Sequence, residues 1–144
     1  MTYIGRMLGV DYGDVRTGVA VSDAMGMLAT ALETLKCGGM RRTAEAVAAC
    51  AARENAVRIV VGLPKNMDGS EGFRADTVKS FVAILSELTE IPIVLSDERL
   101  TTMEAHRFLS MTDVSGKKRK ASVDMLSAEI ILQDSLDKMR KSNA

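Results

Sequence analysis

The sequence predicts an α/β protein built on a mixed five-stranded sheet flanked by helices, with three antiparallel N-terminal strands and two parallel ones. Three observations carry the prediction. Apolar runs at the N-terminus are separated by short turns rich in Gly and Asp. The apolar period then lengthens to helical spacing at Ala44, Val47, Ala48 and Ala51. Two further apolar runs, "VRIVVGLP" and "IPIVL", each follow a helical stretch, and strands that follow helices in this way are usually parallel to their neighbours.

The first strand is expected over Arg6 to Asp11 and the second over Thr17 to Ser22, joined by a tight turn at Gly13. "MLATALETLK", Met27 to Lys36, returns after Met25-Gly26 as the third. Three strands in series with short turns form an antiparallel meander. A helix follows over Arg42 to Asn55. "VRIVVGLP" is a continuous apolar run closed by Gly and Pro, the pattern of a central strand buried on both faces. Val78, Phe81, Val82, Leu85 and Leu88 form the stripe of a second helix. A last strand, Pro92 to Leu95, runs into Asp97 and Glu98. Thr101 with Glu104 makes a capping box, so a helix starts near Thr102. Ser110 to Ser122 reads as a mobile loop carrying a basic run, and a final helix spans Val123 to Met139. The order β-β-β-α-β-α-β-α-α is that of the ribonuclease H-like fold.

The chain has 144 residues, enough for a single domain over 1–144 with a real core. Aromatics are only 3%, so Val, Ile, Leu, Ala and the 10 Met must fill that core. Nineteen basic and nineteen acidic side chains balance, so any polyanion-binding surface must be local. Cys37 and Cys50 match no zinc spacing and suit thiols in a reducing cytoplasm. No stretch approaches the ~18 apolar residues of a membrane span, and the N-terminus lacks the pattern of a secretory signal. A cytoplasmic protein without a membrane partner is expected. His106 is the one histidine of the chain, and on a helix it reads as a polar surface residue with no catalytic role.

Candidate chemistry gathers in the acids. Asp11 ends the first strand, Asp97-Glu98 the last, and Asp124 begins the final helix. In open α/β sheets ligands collect beyond the carboxyl ends of parallel strands, so Asp11 and Glu98 are expected at one edge, with Asp124 joining if the helix starts there. Converging carboxylates need cations, and hard oxygen donors suit Mg²⁺ or Mn²⁺, two ions in the usual phosphodiester-cleaving arrangement. If the first and last strands flank the one ending at Gly62, their tips are about 10 Å apart; Glu98 reaches farther across that gap than Asp97. Each acid also has an ordinary explanation, as a turn residue, a solvated strand end or a helix N-terminal charge. It is the set, on one edge, that points to metal.

Lys117, Lys118, Arg119 and Lys120 would then grip phosphates, giving affinity with little sequence preference. Lys65, Arg74 and Arg99 fall near the same edge, and Arg16 either does likewise or braces Asp11 or Asp14. No aromatic stacking platform is visible, which argues against a dedicated single-strand binder.

Four blocks, "GVDYGDVRTGVAVSD", "IVVGLPKNMDGSEGFRA", "SDERLTTMEA" and "VDMLSAEIILQDSLD", resemble in content and order the YqgF family, also called RuvX, of the ribonuclease H-like superfamily. The resemblance covers nearly the whole chain. It implies a metal-dependent nuclease acting on structured nucleic acid, by resolution of four-way DNA junctions or 5′-end maturation of small-subunit ribosomal RNA precursor. Carried over by motif, Asp11, Glu98 and Asp124 are the metal-binding acids. Where many superfamily members hold an acid at the end of the fourth strand, this chain has Gly62. A homodimer suits junction cleavage and ribosomal association suits RNA maturation; the residues do not choose. A reading from another class is a non-catalytic nucleic-acid-binding or ribosome-assembly factor on the same fold. An actin-like nucleotide-binding protein is disfavoured, since one short domain lacks a second half to enclose a nucleotide.

Overall fold

The computed structural model describes residues 5–65, 68–97 and 116–142, with side chains of the last segment described over 125–141. Five strands, β1 (Met7–Asp11), β2 (Thr17–Ser22), β3 (Ala29–Leu35), β4 (Arg58–Leu63) and β5 (Ile93–Asp97), form one sheet in the order β3-β2-β1-β4-β5. β1 to β3 pair antiparallel, and β1, β4 and β5 pair parallel. The meander and the two parallel strands are therefore as expected, with β4 inserted between β1 and β5.

β4 is buried on both faces: Ile59, Val60 and Val61 are fully enclosed. On one face Leu8, Val10, Ile59 and Val61 pack with α1 (Met40–Arg53) and α2 (Phe73–Leu88) through Ala44, Val47, Val78, Phe81 and Leu85. On the other, Met7, Ala20, Ala29 and Val60 pack with Ala128, Ile131, Leu132 and Leu136 of α3 (Gly116–Ser142).

Local chemistry moves several boundaries. β3 starts at Ala29 rather than Met27, because Asp23 Oδ1 accepts the Met27 and Leu28 N–H groups at 2.7 and 3.1 Å and holds both in the preceding turn. α1 starts at Met40, over Gly39, whose carbonyl accepts from the Thr43 hydroxyl at 2.7 Å. It ends at Arg53, before Asn55 turns left-handed with φ 54°. β5 runs to Asp97, two residues beyond the predicted end.

The largest correction concerns α3. The basic segment read as a mobile loop to Ser122 is helical from Gly116, so Lys117, Lys118, Arg119 and Lys120 sit on its first turns. Lys, Arg and Ala are good helix formers; the apolar stripe that marks a helix in the sequence begins only where the sheet does. The remainder of that segment, 110–115, and the capped helix near Thr102 lie outside the described residues.

α3 runs antiparallel to β1. Gly9 faces Ala128 and Leu132, and Arg58, level with Met7, donates to Met139 Sδ at 2.8 Å. α3 also covers the free edge of β3. Ala29 N–H donates to Gln133 Oε1 at 2.8 Å, and Ala31 N–H to Glu129 Oε1 at 3.2 Å. These are the donors an edge strand otherwise offers to another chain. Among the described residues, no helix is long and apolar enough to cross a membrane.

Candidate active site at the carboxyl edge of the sheet

Asp11 is the last residue of β1, paired with Gly18 of β2. The chain then turns at Gly13, where an added Cβ would lie 2.3 Å from the Arg16 carbonyl oxygen, so only glycine fits. The Thr17 hydroxyl lies 3.3 Å from both the Gly13 N–H and the Gly13 carbonyl and closes the turn. Alternation along β1 sends Leu8, Val10 and Tyr12 to the α1/α2 core and leaves Asp11 on the α3 face with Met7 and Gly9. Tyr12 stacks on Phe81 with ring centroids 4.4 Å apart, and burial, then the Asp14 charge, raises its phenol pKa.

Val10 pairs with Val61, so Asp11 lies beside Gly62, and Gly62 pairs with Ser96. Asp11, Gly62 and the buried Ser96 thus form a row across three strands on the α3 face. Gly62 leaves the middle of that row without a side chain. Asp97 pairs with Leu63, one step on, and alternation turns it to the opposite face; Lys65 Nζ lies 3.9 Å from its Oδ2. Glu98 and Arg99 lie outside the described residues.

The antiparallel course of α3 carries its backbone from Gly9 toward the Asp11 end. Asp124 is one turn before Ala128, whose carbonyl faces Gly9, and a turn advances about 5.4 Å. The backbone at Asp124 therefore approaches the carboxyl edge of the sheet from above the Asp11 face. Ser127, three residues on, is fully buried, and its hydroxyl has no hydrogen-bond partner among the described residues.

Arg16 belongs to the β1–β2 turn, and Arg74, with Phe73, lines a shallow niche of about 20 Å³ against Tyr12, Gly13 and Asp14. Lys65, Arg16 and Arg74 are thus at the edge that holds Asp11. Among the described residues no three His, Cys, Asp or Glu groups converge to hold a metal; Glu98 and the Asp124 side chain are not among those described. A cavity of about 720 Å³ lies between α3 and β5, lined by Met7, Val57, Arg58, Val94 and Met139 and reaching Ser96 and Asp97 at the end of β5.

One feature of this edge was not legible in the sequence. Phe73 opens α2 with 84% of its surface exposed, a single presented ring where the sequence showed no aromatic stacking platform. Its place between Gly72 and the first core residue, Ala75, is the only sequence signal for it.

A family model described as RuvX, Holliday junction resolvase, matches residues 5–138. A Halothermothrix orenii protein named "Putative pre-16S rRNA nuclease" is 42% identical over 136 residues, covering 94% of this chain and 97% of its own length. A Bacillus cereus protein of the same name is 45% identical over 139 residues, covering 92% and 98%. Among solved structures, Thermus thermophilus RuvC in complex with a Holliday junction substrate superposes with TM-score 0.53 at 13% identity, over 94% of this chain and 96% of that one. Fowlpox virus resolvase with Holliday junction DNA does so with TM-score 0.58 at 10% identity, over 93% and 98%. At such identities the two structures speak for the ribonuclease H-like fold alone.

Proposed function

This chain belongs to the RuvX family of Holliday junction resolvases, and from that premise we propose that it is a divalent-metal-dependent nuclease that cleaves phosphodiester bonds in structured nucleic acid. The observation that carries the reading is the placement of Asp11. It ends β1 on the α3 face, in a row whose centre, Gly62, is empty, at the edge approached by the Asp124 turn.

Asp11, Glu98 and Asp124 are the proposed ligands of two Mg²⁺ or Mn²⁺ ions. The donor set suits these ions, being all carboxylate oxygen, and the unpartnered Ser127 hydroxyl adds an oxygen one turn beyond Asp124. Bound ions of this kind activate water and stabilise the leaving oxygen. The chain's own part is positioning. Asp11 is fixed by the β1 ladder and the Gly13 turn, and Gly62 leaves room for a phosphate. Arg16, Lys65, Arg74, Arg99 and the basic first turns of α3 hold the flanking backbone, with affinity that falls as salt rises.

The relatives' name gives one substrate to test, ribosomal RNA precursor, and the family description another, the four-way junction. Cleavage of a symmetric junction would favour a two-fold homodimer; precursor maturation would favour a ribosome-associated enzyme acting in the cytoplasm.

The test incubates wild type and Asp11→Asn with a labelled four-way DNA junction and a 5′-extended ribosomal RNA precursor, in Mn²⁺, Mg²⁺ or EDTA. Changes outside the first coordination sphere already cost about 10–100-fold at metal sites, so loss of a ligand is expected to reduce cleavage by at least that, with binding retained. Equal inactivity of both proteins, with salt-sensitive binding, would instead make the chain a non-catalytic binding factor.

A further inference from the structure

We propose that Phe73, with Arg74, forms a subsite that stacks one unpaired nucleobase and holds its phosphate beside the Asp11 edge. This deepens the nuclease reading and rests on it, and it adds a substrate requirement: a nucleotide out of the duplex stack next to the cleaved bond.

Rings are scarce in this chain, with 3 Phe, 2 Tyr and no Trp. Tyr12 and Phe81 are buried against each other. Phe73 is 84% exposed, more than any other large apolar side chain among the described residues. The α2 core contacts are made by Ala75, Val78, Phe81 and Leu85. Phe73 precedes Val78 by five residues, which places it about 140° round the helix from it. The ring therefore contributes nothing to the stripe, and forgoes roughly the burial that usually fixes a Phe inside.

Its surroundings select the ligand. Phe73 and Arg74 line the niche with Tyr12, Gly13 and Asp14, on the α1/α2 side of the same carboxyl edge, across the tip of β1 from the Asp11 side chain. Glu71, Arg74, Asp76 and Lys79 surround the ring in sequence, all exposed. A single ring set among charges falls short of the few hundred Å² of contiguous apolar surface that marks a protein-docking patch. A flat apolar face beside a guanidinium matches a base with its phosphate. Stacking of this kind is tolerant of base identity, so the subsite would recognise unpaired structure rather than sequence.

With no native tryptophan, Phe73→Trp places one indole at the site. In the Asp11→Asn background it is titrated with three probes: a blunt duplex, the same duplex with a single-stranded 5′ extension, and that duplex with an abasic extension of equal length. Indole quenching is expected only with the base-bearing extension. Phe73→Ala and Phe73→Leu should weaken binding of that probe by about 5- to 150-fold while leaving the abasic probe unchanged. Melting temperatures of these surface variants, measured in parallel, establish that each is folded. Full affinity in Phe73→Leu would show apolar contact without stacking and overturn the proposal. Equal binding of all probes without quenching, while wild type still cleaves with metal, would overturn the subsite alone. Absence of both cleavage and binding in wild type would remove the nuclease reading as well.

Discussion

Gly9→Ala tests whether the contact between β1 and α3 sets the geometry of the acidic edge. An added Cβ at Gly9 would lie 2.7 Å from Leu132 Cβ and 2.9 Å from the Ala128 carbonyl oxygen. Carbon pairs settle at about 3.5–4.0 Å, so α3 must retreat by about 0.8 Å. The Gln133 and Glu129 bonds to β3, and the 2.9 Å bond from Arg140 to the Met27 carbonyl, resist that retreat. Overpacking of this kind costs about 1–3 kcal/mol, which for a chain of this length lowers Tm by about 3–10 °C. Activity should fall further than stability. Asp11 rides on the strand and Asp124 on the helix, and a displacement near 1 Å costs a reaction roughly 100-fold. Calorimetry and single-turnover cleavage, both below the melting transition, separate the two effects. Leu132→Ala retains the clashing Cβ, so adding it to Gly9→Ala should not restore either. A Gly9→Ala protein within about 1 °C of wild-type Tm and cleaving within about twofold of its rate would refute the argument.

Asp23 accepts from Leu28 and Met27 N–H groups, Leu28 having the larger effect, and these bonds lower its pKa. Its stabilisation is therefore complete above the unfolded carboxyl value of about 3.9 and is lost as pH falls through the lower folded value; the Tm gap between wild type and Asp23→Ala should be constant near neutrality and close below about pH 4. Gln133→Leu leaves the buried Ala29 N–H without its acceptor and should cost about 1–3 kcal/mol, with faster hydrogen exchange at Ala29 in the native state. Cys50 is buried and burial raises its thiol pKa, whereas Cys37 is half-exposed; a disulfide reagent at pH 8 should label Cys37 promptly and reach Cys50 only on unfolding.

Much of the fold is legible locally because its determinants are local. The apolar runs of β1 to β3 between their turns, the two-faced apolar run of β4 and the stripe of α2 each follow from where neighbouring side chains point along one element. Asp11 at a strand tip could be read in the same way, from an apolar run that stops at a charge before a glycine turn. The limits of β3 and α1 could not, since they depend on which side chain, Asp23 or Thr43, captures a nearby backbone group.

What the sequence by itself determined is the five strands, the three described helices and their order, the family likeness and the candidate acids. The tertiary structure decided how those parts face one another. It inserts β4 between β1 and β5, puts Asp11 and Ser96 on the α3 face with Gly62 between them, and turns Asp97 away. It lays α3 antiparallel across β1 at Gly9, extends that helix through the basic run, and leaves Phe73 in solvent. The physical reason is that a repeat pattern records which face of an element is buried, but not against which partner. That choice depends on the summed packing of residues more than a hundred positions apart, such as Gly9 with Leu132.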